Sequence, residues 1–187
     1  MFNDYYTRAV HGNRLRFENN NFFLDNIPFL FSPIDLLHRF VSSDDEMFER
    51  KLYYHVKDAV KHTLMKKFLL KDDLADLRKV RLLEEYFSAS GWGFIRTLEL
   101  DAKNKRAVAL VSNSPIALAL HGKVNYHVDH FMRGILAGMF SHIFREDVDC
   151  TELKCQALGH RQCEFLIKKN SEHNFSKKFV QRQLNPI

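Results

Sequence analysis

The chain has 187 residues, 45% of them hydrophobic, which is enough for one globular domain with its own core. Its formal net charge of +5 is mild, and no helix-turn-helix spacing or RNA-binding motif accompanies it, so nucleic-acid binding is not expected. No stretch approaches about 18 consecutive apolar residues and the N-terminus lacks the order of a signal peptide, so we expect a cytoplasmic protein without a membrane span.

The first half of the chain predicts an N-terminal hairpin followed by helices. Polar and apolar residues alternate on both sides of an Asn-rich turn, and Pro28 argues against a central strand directly after them. A Ser-Pro pair, a capping box and apolar residues at helical spacing indicate the helices. In chain order these elements are strands at 13–18 and 22–24, and helices at 33–40, from Ser43 onwards, and from Asp72 to Gly91.

After Gly91 the period of the apolar residues changes to that of strands, interrupted by one strong helix. The predicted elements are strands at 92–100 and 106–111, a short helix or loop at 114–120, a helix at 126–144, and strands at 148–157 and 163–168. Helices first and then a ββ-α-ββ order predict an α+β fold. Its N-terminal helices should pack with one four-stranded antiparallel sheet.

Four side chains that can bind a metal ion lie at fixed offsets in these last elements: Asp129, Glu152, Cys155 and Cys163. Carboxylate oxygens and thiolate sulfurs suit a tetrahedral zinc ion in a closed, structural site. A connection centred on Gly159 places the two cysteines opposite each other, with Cβ atoms about 4.5–5.5 Å apart. A regular strand would point Glu152 and Cys155 to opposite faces, so a shared site requires a bulge. On spacing alone, the cysteines could equally be small buried hydrophobes.

This segment resembles the 4-vinyl reductase domain, a family predicted to bind small molecules or hydrocarbons. The family's Gly-x-x-x-Gly helix, Glu-x-x-Cys strand and Gly-His-x-x-Cys turn stand here as Gly134 to Gly138, Glu152 to Cys155 and Gly159 to Cys163. In its phenol-sensing members, zinc is held by a Cys five residues before the first Gly, by the Glu and by both later Cys. Asp129 takes the place of the first Cys here. The resemblance therefore implies a zinc site built from two carboxylates and two thiolates.

The resemblance also implies a domain organisation, since the family fold is related to that of the TRAPP trafficking-complex subunits. The expected divisions are an N-terminal arm or hairpin at 1–31, a ligand-binding domain at 32–168 and a basic polar tail at 169–187. The charges of the tail predict a solvated segment.

The function that follows is a non-enzymatic module that binds a hydrophobic small molecule and acts as a sensor or regulator through a separate protein partner. No nucleophile elbow, phosphate-binding loop or dinucleotide fingerprint indicates catalysis. The expected pocket lies between the sheet and the helices. Its candidate residues are Trp92, Phe94, Phe131 and Phe140, with Arg133 as a partner for an acidic ligand group. A carrier for a tetrapyrrole intermediate and a protein-binding scaffold like the TRAPP subunits are the alternatives.

A homodimer is expected, because the aromatic N-terminal arm and the helix of Gly134 and Gly138 offer apolar surface. These glycines lie one turn apart and let another backbone approach, in a sheet contact or at a subunit interface. Two histidines neighbour the candidate ligands. His130 could replace Asp129, and His160 is expected to cap the turn between the cysteines or to support a metal ligand without binding the ion itself.

Overall fold

The structure is a computed structural model that describes residues 4–24, 26–30, 32–42, 45–68 and 75–185. Its helices are α1 (Asp4–His11), α2 (Ile34–Val41), α3 (Glu46–Ala59), α4 (Met65–Lys67), α5 (Asp76–Ala89), α6 (Pro115–Ala119), α7 (His130–Phe144) and α8 (Lys178–Gln183). Its strands are β1 (Leu15–Glu18), β2 (Asn21–Leu24), β3 (Ile27–Phe29), β4 (Phe94–Asp101), β5 (Arg106–Ser112), β6 (Asp149–Lys154) and β7 (Cys163–Lys168). A π-helical turn, Val60–Leu64, joins α3 to α4.

Two antiparallel sheets organise the chain. The N-terminal sheet has the order β1-β2-β3, and β3, which carries Pro28, lies at its edge, where a missing N–H costs no ladder bond. The second sheet has the order β4-β5-β7-β6. With α6 and α7 between its two hairpins, it confirms the α+β fold and the ββ-α-ββ order expected from the sequence.

Helix α7 forms the centre of the core. It packs against α3 on one side and against β6 and β7 on the other. Only Phe131 and His142 among its residues are not buried. The sheet side chains that face it are small or apolar, with Ala109 and Phe165 directly paired on β5 and β7. Among the described residues, no helix is long and apolar enough to cross a membrane.

Gly134 and Gly138 allow α3 and α7 to touch through their backbones. A Cβ atom at Gly134 would lie 2.7 Å from Val56 Cβ, and one at Gly138 would lie 2.6 Å from the main-chain oxygen of Lys57. This face is therefore covered by α3 of the same chain. The expectation of a sheet contact or a subunit interface at these glycines was wrong, because α3 packs directly against them.

The starts of helices α3 and α7 differ from the sequence prediction. The side chain of Asp45 caps α3 by accepting hydrogen bonds from the amides of Met47 (2.9 Å) and Phe48 (3.2 Å). The cap expected at Ser43 and the start expected at Asp72 lie outside the described residues.

Helix α7 begins at His130 rather than at residue 126. The preceding segment is an irregular loop, and its last residue, Asp129, donates a hydrogen bond to Glu152 on β6.

The C-terminal segment, residues 170–185, folds back onto the domain. Val180 is 3% exposed and Leu184 is fully buried, while Asn170 donates a hydrogen bond to Asp149 (2.8 Å). The expectation of a solvated tail was wrong here. The charges indicated contact with water, but the apolar residues between them form a buried face.

Gly138→Ala is expected to lower the free energy of unfolding by about 1–3 kcal/mol, because the added methyl group meets main-chain atoms that cannot rotate away. The same substitution in an exposed helix would instead stabilise the protein by up to about 1 kcal/mol. Chemical denaturation of both proteins measures the difference. A neutral or stabilising effect would contradict the close approach of α3 to α7.

Candidate metal centre and apolar groove

The end of β6 and the start of β7 bring three predicted ligands together. Glu152 lies on β6, Cys155 directly follows that strand, and Cys163 begins β7. Their ligand atoms all lie within 4.8 Å of one another. The pairing of β6 with β7 shifts register between Glu152 and Lys154, which is the bulge that the sequence argument required. The bulge brings the Glu152 carboxyl group to the side of the two sulfurs.

Asp129 completes the cluster from the start of α7. It occupies the N-cap position, yet its side chain caps no helix amide. Its Oδ2 accepts a hydrogen bond from the Cys163 thiol (3.4 Å), and its Oδ1 accepts one from the Ser114 hydroxyl (3.0 Å). Its main-chain N–H donates to Glu152 Oε2 (3.2 Å). Asp129 therefore contacts Cys163 and Glu152 at the edge of the cluster, while the ligand atoms of the other three residues lie within 4.8 Å of one another.

Burial makes the two carboxyl groups of the cluster weaker acids than usual. Asp129 is 1% exposed and Glu152 is fully buried. Burial, with the nearby Cys155 thiolate, raises the pKa of Asp129 to about 7. The same two causes raise the pKa of Glu152 well above its ordinary value. Without a cation, these carboxyl groups hold protons more readily than carboxyl groups in water.

Cys155 and Cys163 differ in pKa, and the proton between their sulfur atoms belongs mainly to Cys163. A hydrogen bond from the Cys163 thiol lowers the pKa of Cys155 to about 6, and this outweighs the opposing effect of burial. The pKa of Cys163 is raised, because that hydrogen bond and burial both favour its protonated form. The main-chain amide of Gln156 also donates to Cys163 Sγ (3.2 Å). Cys155 is thus the thiolate of the pair.

When its carboxyl groups are ionised, the cluster contains more buried acceptors than donors. The single proton of Cys163 has two acceptors, Cys155 and Asp129. Glu152 Oε1 is buried and has no hydrogen-bond partner among the described residues. An unsatisfied buried carboxyl oxygen is costly. Two carboxylate oxygens and two sulfurs around one point fit a divalent ion such as zinc, which would satisfy all of them at once.

The neighbouring histidines do not join the cluster. His160 lies in the turn, with its Nδ1 3.1 Å from the carbonyl oxygen of Cys155, in keeping with the expected turn-capping role. His130 points towards Glu49, with 3.8 Å between Nε2 and Oε1, and its Nδ1 lies 3.3 Å from Arg133. The alternative in which His130 replaces Asp129 is therefore wrong, because the imidazole ring faces α3.

The sequence did not indicate two residues that support the cluster, Ser114 and Gln156. Ser114 also caps α6 by accepting a hydrogen bond from the amide of Ala117, and its own N–H donates to Gln156 Oε1 (3.0 Å). The Ser-Pro pair at 114–115 was a visible capping signal. Its proximity to Asp129 depends on the path of the loop between them, which no local pattern encodes.

The candidate pocket residues lie in different environments. Phe140 is fully buried and packs against Phe144, with ring centroids 5.4 Å apart. Arg133 is fully buried, and its guanidinium group donates hydrogen bonds to carbonyl oxygens of the protein. It is therefore not positioned to bind an acidic ligand group. Phe94 is 60% exposed. Trp92 contacts Phe131, with ring centroids 5.8 Å apart.

Trp92 lines an apolar groove between the N-terminal sheet, α2 and the loop before β4. The groove has a volume of about 400 Å³. Its aromatic and aliphatic walls include Phe22, Phe29, Ile34, Leu37 and Pro115, and its polar groups include Ser32 and Ser90. The expected position between the main sheet and the helices was wrong for Arg133 and Phe140, because these side chains fill that space themselves.

Comparison with known proteins places the cluster within a recognised domain. Residues 111–169 match the family model of the 4-vinyl reductase domain, and this confirms the resemblance expected from the sequence motifs. The matched segment contains all four candidate ligands. No curated protein matches the chain.

One solved structure is similar in fold over nearly the whole chain, and two others match less well. The phenol-responsive sensory domain of the transcription activator PoxR, solved with phenol, has a TM-score of 0.76 and 14% identity, over 97% of this chain and 96% of that one. A trafficking protein particle complex subunit 3 from Naegleria fowleri, covalently bound to palmitic acid, has a TM-score of 0.48 and 13% identity, over 72% and 86%. A vinyl-4-reductase family protein from Methanocaldococcus jannaschii has a TM-score of 0.45 and 17% identity, over 75% and 96%.

The metal-free protein is expected to show thiolate absorbance that develops with an apparent pKa of about 6, from the Cys155–Cys163 pair. Cys163→Ala removes the S–H donor and should raise the pKa of Cys155 towards that of an ordinary thiol. Cys150→Ala is the matched control and should leave the titration unchanged, because burial already keeps Cys150 protonated. A wild-type protein without thiolate at neutral pH would contradict the shared proton.

Proposed function

We propose that this protein is a non-enzymatic sensor module that binds a hydrophobic small molecule and contains a structural zinc ion. The observation that carries the proposal is the match to the 4-vinyl reductase domain over the segment in which Glu152, Cys155 and Cys163 cluster, with Asp129 hydrogen-bonded to Cys163. The fold likeness to a phenol-responsive sensory domain over 97% of the chain supports the same function. Information about the bound molecule would pass to a separate protein partner.

The zinc ion would be held by Asp129, Glu152, Cys155 and Cys163. Such an ion contributes folding free energy and supplies positive charge to a buried acidic site. It would fasten the start of α7 to the end of β6 and the start of β7. With four protein ligands and no open position, its role would be structural.

The apolar groove is the proposed site for the small molecule. Its volume of about 400 Å³ lies within the range of about 300–1,000 Å³ typical of ligand pockets. Aromatic walls with a few hydroxyl groups suit an aromatic or hydrocarbon ligand with at most a small polar group. Phenol in the PoxR sensory domain is a molecule of this class.

A short path of contacts links the groove to the metal centre. Trp92 lines the groove, and its ring contacts Phe131. Phe131 lies in the first turn of α7, two residues after Asp129. A ligand that displaces Trp92 would therefore act on the helix end that the metal centre holds.

The homodimer and the cytoplasmic location stay predictions from the sequence, as do the tetrapyrrole carrier and the protein-binding scaffold. A dimer would use a surface other than that of Gly134 and Gly138, because α3 covers those glycines. Phe17 and Leu30 are exposed apolar residues of the N-terminal arm and are available for such a contact.

Purified protein is expected to contain about one zinc ion per chain, measured by elemental mass spectrometry. Glu152→Gln and Cys163→Ser should lower the zinc content, because each removes an anionic ligand. They should also lower the temperature of unfolding in the presence of zinc. Cys150→Ala is the control and should retain the metal. A wild-type protein that binds neither zinc nor added cobalt would contradict the proposal.

Small hydrophobic phenols are expected to change the fluorescence of Trp92, the single tryptophan of the chain, in a saturable manner. Leu37→Arg places a charge in the groove and should weaken binding at least about tenfold. Leu36→Arg is the matched control, since Leu36 lies on the same helix, is 60% exposed and does not line the groove. Equal binding by both variants would exclude the groove as the ligand site.

A further inference from the structure

The C-terminal segment lies against the free edge of β6, beside Glu152. Strand β6 ends the order β4-β5-β7-β6, so one side of it has no strand neighbour in the sheet. Unpaired main-chain groups on such an edge require other partners. The C-terminal segment supplies them at Glu152.

The side chain of Gln183 forms two hydrogen bonds with the main chain of Glu152. Its Oε1 accepts from the Glu152 N–H (2.7 Å), and its Nε2 donates to the Glu152 carbonyl oxygen (3.0 Å). The carboxamide thus makes the pair of bonds that a neighbouring strand would make. Gln183 is 2% exposed and Glu152 is fully buried, so water does not compete for these bonds.

Arg133 connects the same point to α7. Its Nε donates to the carbonyl oxygen of Cys150 (3.1 Å), and its Nη2 donates to that of Gln183. Its main-chain N–H donates to the carbonyl oxygen of Asp129 (2.9 Å). One fully buried guanidinium group therefore joins β6, the C-terminal segment and the helix that begins after Asp129.

An ion pair fixes the C-terminal segment to α3. Arg182 donates to both carboxylate oxygens of Glu49, at 3.0 and 2.6 Å, and Glu49 is 1% exposed. The guanidinium group of Arg182 also lies over the ring of Tyr126, 4.0 Å from its centroid. Leu184 follows and is fully buried. The segment thus has enough contacts to hold Gln183 in place.

We propose that the C-terminal segment is part of the metal centre, with Gln183 as the positioning residue for Glu152. This inference rests on the proposed zinc site. The β6 bulge begins at Glu152, where the pairing of the strand with β7 shifts register. Gln183 fixes the main chain there and so sets the position of the carboxyl group relative to the sulfurs.

Docking of the C-terminal segment and zinc binding are therefore coupled. Zinc fixes Glu152 in the position that Gln183 recognises, so zinc stabilises the docked segment. By reciprocity, the docked segment raises the affinity for zinc by the same factor. Whatever pulls the segment away would loosen the metal centre.

The matched pair Gln183→Met and Gln181→Met tests this coupling. Both substitutions replace an amide with an apolar side chain of similar length on α8, but Gln181 is exposed and its side chain donates only to the carbonyl oxygen of Phe175 within the described structure. Competition with a chromophoric chelator measures zinc affinity. Gln183→Met should weaken it by about 10–100-fold, the usual effect of losing a partner that orients a ligand. Gln181→Met should leave it unchanged.

Cobalt substitution supplies a signature that a general loss of stability would not produce. The visible spectrum of the cobalt-loaded protein should shift in Gln183→Met, because Glu152 is displaced relative to the sulfurs, and should stay unchanged in Gln181→Met. Wild-type zinc affinity and an unchanged cobalt spectrum in Gln183→Met would overturn the inference while leaving the metal centre intact. A wild-type protein that binds no metal would overturn both.

Amide hydrogen exchange of the wild-type protein decides the question if Gln183→Met fails to fold. Zinc should slow exchange at residues 178–185 and at β6, while α1, which is remote from the cluster, should exchange at the same rate with and without zinc. Zinc that binds tightly but leaves exchange at residues 178–185 unchanged would overturn the coupling.

Discussion

Two carboxyl groups and two thiols buried at one point constrain the whole domain. Their charges repel in a medium that cannot screen them, so they must hold protons or share a cation. Without a cation the groups hold protons, and the pKa values of Asp129, Glu152 and Cys163 are accordingly raised. In the proposed zinc site, one divalent ion would replace these protons as the partner of all four groups.

The scaffold is arranged so that these groups cannot separate easily. Gly134 and Gly138 let α3 and α7 approach to backbone contact, which fixes the axis of α7 and with it the position of Asp129. The β6 bulge turns Glu152 towards the cysteines, and Gln183 holds the strand in that position. Trp92 lines the groove and contacts Phe131 in the first turn of α7, so the proposed small molecule and the proposed metal ion would act on the same helix end.

The sequence predicted those features that depend on local period and spacing. The ββ-α-ββ order followed from alternating and helical patterns, and the bulge after Glu152 followed from the spacing of Glu152 and Cys155. What it missed depends on contacts distant in the chain. The charged residues near Val180 and Leu184 suggested a solvated segment, although these two side chains are buried. Contact of the two glycines with α3 depends on the packing of two helices that are distant in the chain. The groove was missed because it forms between the N-terminal arm and residues near Trp92, which no single segment contains.

X-ray absorption spectroscopy at the zinc edge tests the central claim most directly, because it counts the atoms bound to the metal by element and distance. The account predicts two sulfur neighbours at about 2.3 Å and two oxygen neighbours at about 2.0–2.2 Å in the purified protein. Replacing Asp129 with Cys should convert one oxygen neighbour into a third sulfur. A zinc ion surrounded by nitrogen and oxygen alone, or by the same atoms before and after that substitution, would contradict the claim that these four side chains form the metal centre.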